Sequence, residues 1–97
     1  MKFEEFSETL SQHTPPKEVS IVLQALWYDA NNDWEKAHDL AQEQNDKEGA
    51  WVHAYLHRKE GDRWNANYWY TRAGKIMPNV SLEQEWEDMV KTLLDDQ

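Results

Sequence analysis

The sequence predicts an all-α protein built around two antiparallel helical hairpins, and three observations lead to this prediction. Apolar residues recur at helical spacing in several segments, turn and capping signals separate these segments, and part of the chain repeats at an offset of 29 residues. The chain has 97 residues, of which 39% are hydrophobic, and this suffices for one modest core. We therefore expect a single domain over residues 1–97.

The composition excludes several classes of function. The chain has no Cys, which rules out disulfides, thiolate metal sites and thiol catalysis. Its net charge of −9 and its three glycines argue against a nucleic-acid surface and a glycine-rich phosphate loop. No apolar run is long enough to span a bilayer, and the first residues lack a signal-peptide pattern. We expect a cytoplasmic protein that uses no cofactor and binds neither nucleic acid nor membrane.

The first two helices are predicted from apolar spacing and from prolines. Phe3, Phe6 and Leu10 recur at helical spacing, which predicts a short amphipathic N-terminal helix. Thr14 is a candidate N-cap for a second helix over Pro16–Ala30, because proline is tolerated in the first turn. Apolar residues nearly surround this second helix, so we expect it to be mostly buried.

The third and fourth helices are predicted from capping signals. Asn32 and Glu35 have capping-box spacing, which predicts a third helix over Asp33–Gln44. Asp46 is a candidate N-cap for the fourth helix. Gly61 ends this helix, since glycine readily adopts the left-handed conformation that closes one.

The last two helices differ sharply in charge. The fifth is predicted from Asp62 to about Ile76, and Ser81 caps a C-terminal helix with a narrow apolar stripe and an acidic outer face. Lys47–Pro78 carries six basic and three acidic residues, hence +3, which leaves −12 for the rest of a chain of net charge −9. Two interpretations stay open: the basic segment docks against the acidic flanking helices, or it binds an anionic partner.

The internal repeat carries a family resemblance. Ala25–Ala37 superposes on Ala54–Ala66, and each copy is a helix, a tight turn and a helix. The second copy and its continuation resemble a tetratricopeptide repeat (TPR), with Tyr70 at an aromatic position, Pro78 closing the unit, and His53 where that family usually has Leu. Small residues match at Ala54, Ala66 and Ala73. The resemblance implies a degenerate TPR-like hairpin over 16–44, a better-matched one over 46–78 and a C-terminal capping helix over 80–96.

Four segments also resemble a family of short bacterial proteins without assigned function. The segments are Leu26–Ala30, Asp33–His38, Trp51–Asp62 and Asn65–Tyr70, and together they span about half of the chain. This resemblance implies a bacterial cytoplasmic protein and no activity.

The resemblance to TPR proteins also predicts a partner-binding site. The first helix of each TPR hairpin lines a concave groove, which places four residues of the second hairpin there: Trp51, Tyr55, Arg58 and Lys59. Flat aromatic rings provide contact area, and the two cations can hold a carboxylate or phosphate. A similar stripe lies on the fifth helix, formed by Arg63, Trp64, Tyr68 and Arg72.

The matching groove positions of the first hairpin are too apolar to stay exposed. These positions are Val19, Val22 and Leu26. Their cover is either the two flanking helices of the same chain or another molecule, which is a peptide partner or a second subunit in a homodimer.

A second candidate site is a group of histidines. His53 and His57 are four residues apart, so they share a helix face that Glu60 continues, and this spacing suits metal ligands. The metalloprotease motif HExxH is absent because Ala54 follows His53, so His38 or Glu60 would have to complete a site. The alternative is that the imidazoles are buried and hydrogen-bonded to Trp, Tyr or backbone atoms.

The pattern as a whole favours a noncatalytic protein–protein interaction module. Its partner is expected to be a protein or peptide, with an anionic group as an option and a homodimer as another. The competing interpretation is a small His-dependent or metal-dependent enzyme that uses the face of His53 and His57.

Overall fold

The computed structural model describes residues 1–96, which form six α-helices and no strand. The helices are α1 (Phe3–Glu8), α2 (Ile21–Ala30), α3 (Trp34–Glu43), α4 (Lys47–Lys59), α5 (Arg63–Ala73) and α6 (Leu82–Asp95), with one 3-10 turn at Thr9–Ser11. The predicted all-α class is confirmed, and the six helices include the short N-terminal helix and the C-terminal helix that the sequence predicts to flank the hairpins. No helix within residues 1–96 is long and apolar enough to cross a bilayer.

Most helices begin at a side chain that accepts a backbone hydrogen bond. The predicted caps Asp46 and Ser81 are confirmed: Asp46 Oδ1 accepts from Gly49 N at 2.8 Å and Ser81 Oγ accepts from Gln84 N at 3.0 Å. Asp62 likewise starts α5 by accepting from Asn65 N. Each such cap stabilises its helix by about 1 kcal/mol because it satisfies an amide that the helix itself leaves free.

Two predicted helix boundaries and one predicted cap are wrong. α2 begins at Ile21 and not at Pro16, because Ser20 accepts the hydrogen bond from Leu23 N and so provides the cap. α3 is capped by Asp33, whereas Asn32 adopts a left-handed φ of 65° between the helices. α5 ends at Ala73, since Gly74 takes the left-handed conformation that closes a helix three residues before Ile76.

The two hairpin turns have the same backbone geometry. Asn32 and Gly61, which are equivalent in the repeat, both have positive φ, at 65° and 90°. Asp33 N donates to Tyr28 O and Asp62 N donates to His57 O, each at 2.9 Å. The sequence repeat is thus reproduced in the turns that position α3 against α2 and α5 against α4.

The flanking helices cover the apolar face of α2. Val19, Val22 and Leu26 are at most 5% exposed, and they belong to one core cluster with residues of α1, α4 and α6. Trp86 on α6 packs at this junction, and its Nε1 donates to Leu26 O at 3.0 Å. Phe6 packs on the same indole, with ring centres 6.1 Å apart. The flanking helices of the same chain therefore cover these three residues, which is one of the alternatives considered from the sequence.

Candidate functional site

The predicted groove residue Tyr55 is buried. It is 2% exposed, and its hydroxyl donates to Asp29 Oδ2 at 3.2 Å. Lys59 Nζ donates to Asp29 Oδ1 at 2.9 Å, so one buried carboxylate on α2 holds both side chains of α4. Burial and the neighbouring Asp29 carboxylate raise the pKa of Tyr55. These contacts join the two hairpins.

Arg58 also forms its hydrogen bonds within the molecule. Its Nη1 donates to Glu85 Oε1 at 2.7 Å and its Nη2 donates to Val80 O. Glu85 is 3% exposed and accepts a second hydrogen bond from Tyr70 Oη, and burial together with this bond raises the pKa of Tyr70. Arg58 thereby ties α4 to α6, as expected if the basic segment docks against an acidic flanking helix.

The four predicted groove residues do not form an open surface. Trp51 is half-buried, and Lys75 Nζ lies 4.3 Å from the centre of its ring. The expectation of an exposed surface is wrong for Tyr55, because α6 and the chain before it cover this side of α4. A pocket of about 380 Å³ remains beside Tyr55 and Lys59, under Leu10 and Trp86.

The three predicted histidines come together between α3 and α4. The centres of the His38 and His53 rings are 4.5 Å apart, those of His53 and His57 are 4.8 Å apart, and those of His38 and His57 are 5.4 Å apart. One nitrogen of each ring lies within 4.8 Å of the others. Glu60 is next to this group, since its Oε1 lies 2.7 Å from His57 Nδ1.

Aromatic side chains enclose the histidine cluster. The ring of His53 stacks on Trp69 with centres 4.0 Å apart, and the ring of His38 stacks on Trp34 at 4.9 Å. Trp34 Nε1 is used elsewhere, as it donates to Leu56 O at 2.9 Å. His53 also lines a polar pocket of about 220 Å³ at the turn between α3 and α4.

The environment of His38 and His53 favours neutral imidazoles. Burial, followed by the neighbouring His38 and His57, lowers the pKa of His53 to about 4. Burial and then His57 lower the pKa of His38. Both rings are therefore uncharged at neutral pH, which leaves a lone pair on one nitrogen of each.

The aromatic stripe on α5 is exposed, unlike the predicted groove residues on α4. Trp64 is 77% and Tyr68 is 46% exposed, and their rings stack with centres 6.4 Å apart. Arg72 continues the stripe: its Nη1 donates to Tyr68 Oη at 3.0 Å, and its guanidinium lies 5.1 Å from the centre of the Trp69 ring. Arg63, the remaining member of the predicted stripe, is also exposed.

Two buried carboxylates were not singled out from the sequence. Glu85 lies on the acidic face of the C-terminal helix, for which docking of the basic segment was one of the open interpretations, and it points inward to Arg58. Asp29 is 2% exposed. Asp29 could have been recognised as a buried carboxylate, because it is a charged residue in a largely apolar helix. Nothing in the sequence distinguishes Glu85 from its acidic neighbours.

Comparison with known protein families, with curated proteins and with solved structures found no match. Function is therefore inferred from the geometry of this chain.

Proposed function

We propose that the protein is a noncatalytic protein-interaction module whose contact surface is the exposed face of α5, formed by Trp64, Tyr68 and Arg72. The partner is a protein segment that offers apolar side chains together with carboxylates. The observation that carries this proposal is the 77% exposure of Trp64, stacked on a Tyr68 that is itself 46% exposed.

The composition of this face supports protein binding. Trp, Tyr and Arg are the residues most enriched among those that dominate binding energy at protein interfaces. The stacked rings of Trp64 and Tyr68 are already arranged in the free protein, so little side-chain entropy is lost when a partner covers them. A shallow pocket of about 360 Å³ runs along the same face between Trp64 and Arg72.

The charge of this face supports an acidic partner. α5 contains no acidic residue, although the chain has 19. Within residues 1–96, no carboxylate oxygen lies within 4.0 Å of Arg63 or Arg72, whereas Arg58 and Lys59 are paired with internal carboxylates. Two arginines without an internal carboxylate partner thus lie on the same helix as the exposed aromatic rings, where they can attract an acidic partner.

The TPR-like interpretation remains part of this proposal, with one change. The groove side of the hairpins is filled by α1 and α6, so the proposed contact surface moves to the second helix of the second hairpin. A location in the bacterial cytoplasm also remains part of the proposal.

The proposal is tested with a photo-crosslinking amino acid at Asn67, which is exposed on this face, and at exposed Gln42 on α3 as the control position. A protein that crosslinks in cells only through Asn67 is identified, purified and titrated against the full chain. We expect Trp64→Ala and Arg72→Glu each to weaken binding by about tenfold or more. Lys17→Glu, a matched charge reversal at an exposed position elsewhere, should leave binding unchanged.

Two results would overturn the proposal. One is a purified partner that binds the Trp64→Ala and Arg72→Glu variants as tightly as the wild type. The other is a crosslink from Asn67 to a second copy of this chain alone, which would make the face a homodimer interface.

A further inference from the structure

The histidine cluster has the geometry of a metal site. His38 comes from α3, and His53 and His57 come from successive turns of α4. One nitrogen of each lies within 4.8 Å of the other two. Three nitrogens bound to one zinc ion at about 2.0–2.1 Å lie about 3.3 Å apart in a tetrahedral arrangement. A small inward rotation of the rings therefore brings all three into coordinating range.

The hydrogen bonding of these rings leaves the ligand nitrogens available. Within residues 1–96 neither the His38 nor the His53 side chain makes a hydrogen bond, and His53 is only 5% exposed. Trp34, whose ring stacks on His38, donates its Nε1 hydrogen to Leu56 O and not to an imidazole. His53 lines the polar pocket at the turn between α3 and α4, and no fully buried side-chain nitrogen within residues 1–96 lacks a partner, so its ring nitrogens are accessible to a ligand.

Glu60 supplies the outer support that ligating histidines usually have. Its Oε1 lies 2.7 Å from His57 Nδ1, and a carboxylate only accepts, so this nitrogen carries the hydrogen. His57 Nε2 is then the nitrogen with a free lone pair. A carboxylate that holds the far nitrogen of a ligating histidine orients the ring and increases its basicity.

We propose that His38, His53 and His57 bind one divalent transition-metal ion, with Zn²⁺ as the best-suited metal. Neutral imidazoles are borderline ligands that suit zinc, and three of them leave a fourth position for water or a ligand group. The ion bridges α3 and α4, and Arg72 of the proposed contact surface lines the same pocket as His53.

A second group of possible ligands is weaker. His57, Glu60 and Asp62 also come within 4.8 Å of one another. Asp62, however, caps α5 and accepts from the side-chain amide of Asn65 at 2.6 Å, so it is already engaged. His38 belongs only to the three-histidine group, and its substitution separates the two possibilities.

The test uses the untagged full chain, freed of metal with a chelator that is then removed. Zn²⁺ binding is measured by calorimetry, and Co²⁺ is used as a spectroscopic probe of the ligand geometry. We expect one ion per chain and the visible absorption of a tetrahedral cobalt site. His38→Gln should weaken Zn²⁺ binding by more than about 100-fold and Glu60→Gln by about 10- to 100-fold.

The matched control is His13→Gln, because His13 is exposed and lies before α2, away from the cluster. This variant should bind Zn²⁺ like the wild type, and far-UV circular dichroism should show that all variants stay folded. The proposal is overturned if the wild type binds no Zn²⁺, or if His38→Gln binds as tightly as wild type. A loss in Glu60→Gln alone would assign binding to the second group instead.

Discussion

Arg58 Nη1 lies 2.7 Å from Glu85 Oε1, and this ion pair joins the second hairpin to the C-terminal helix. Glu85 is 3% exposed and also accepts from Tyr70. A single carboxylate thus satisfies a cation of α4 and a hydroxyl of α5 while it holds α6 over the groove. The residue that resembles a surface acid in the sequence is a central contact of the fold.

The first prediction concerns this carboxylate. Glu85→Ala should lower the free energy of unfolding by about 3 kcal/mol, because it leaves a half-buried guanidinium without its partner. Urea unfolding followed by circular dichroism gives the value. Glu83→Ala, at an exposed site on the same helix, is the control and should change stability by no more than about 0.5 kcal/mol. Equal effects of the two substitutions would show that the ion pair contributes nothing.

The second prediction compares two tryptophans. Trp86→Ala should cost about 3–5 kcal/mol, since it removes packing against Phe6 and the hydrogen bond to Leu26 O. Trp64→Ala should change stability by less than about 0.5 kcal/mol because Trp64 is 77% exposed. Denaturant midpoints of the two variants measure the difference. If Trp86→Ala were neutral, α6 would not be the cover of α2 in solution.

The third prediction concerns Gly49 in the first turn of α4. Replacing a helical glycine by alanine normally stabilises a protein by about 1 kcal/mol. Here a Cβ would lie 2.3 Å from Gln44 O and 2.6 Å from Gln44 Cβ, so the backbone must shift. Gly49→Ala should therefore destabilise the protein, by about 1–3 kcal/mol.

The melting temperature of Gly49→Ala relative to the wild type shows whether the substitution stabilises or destabilises the protein. The exposed Lys47→Ala substitution in the same turn is the control and should lie within about 0.5 kcal/mol of the wild type. A higher melting temperature for Gly49→Ala would show that the close approach to Gln44 is absent.

The fourth prediction is a dependence on pH. Burial raises the pKa of Glu48 above its ordinary value of 4.5, and the nearby Asp96 and Asp46 carboxylates raise it further. The ionised form of Glu48 is therefore disfavoured in the folded protein, and this penalty appears as the pH rises through the raised pKa. Glu48→Gln should increase stability at pH 7 and have no such effect at about pH 3, where the carboxyl is protonated in both states.

Urea unfolding at the two pH values measures this effect, with Glu18→Gln at an exposed position as the control. A stabilisation by Glu48→Gln that is the same at both pH values would rule out the electrostatic cause.

The features that the sequence predicted correctly are mostly local. The caps at Asp46 and Ser81 could be recognised because a capping side chain bonds an amide three residues later. The start of α2 could not be predicted in this way, because Thr14 and Ser20 are both residue types that cap helices. The inward direction of Glu85 depends on Arg58, 27 residues away, and has no local signal.

In the candidate sites, too, the local features could be predicted from the sequence and the tertiary contacts could not. The shared face of His53 and His57 follows from helical periodicity alone. The position of His38 beside them depends on how α3 packs on α4, and the sequence could only suggest it as one option. The burial of Tyr55 was not foreseen, because it requires the cover that α6 provides.

The position of α6 leaves the two sides of the second hairpin unlike. Helices α2, α3, α4 and α5 pack one after another along the chain, and α6 contacts both α2 and α4. The opposite face of α5 has no such cover within residues 1–96 and presents Trp64 to solvent. Another helix is therefore kept from the groove side but not from this face. A helix that docked on α5 would add a layer supplied by a different chain.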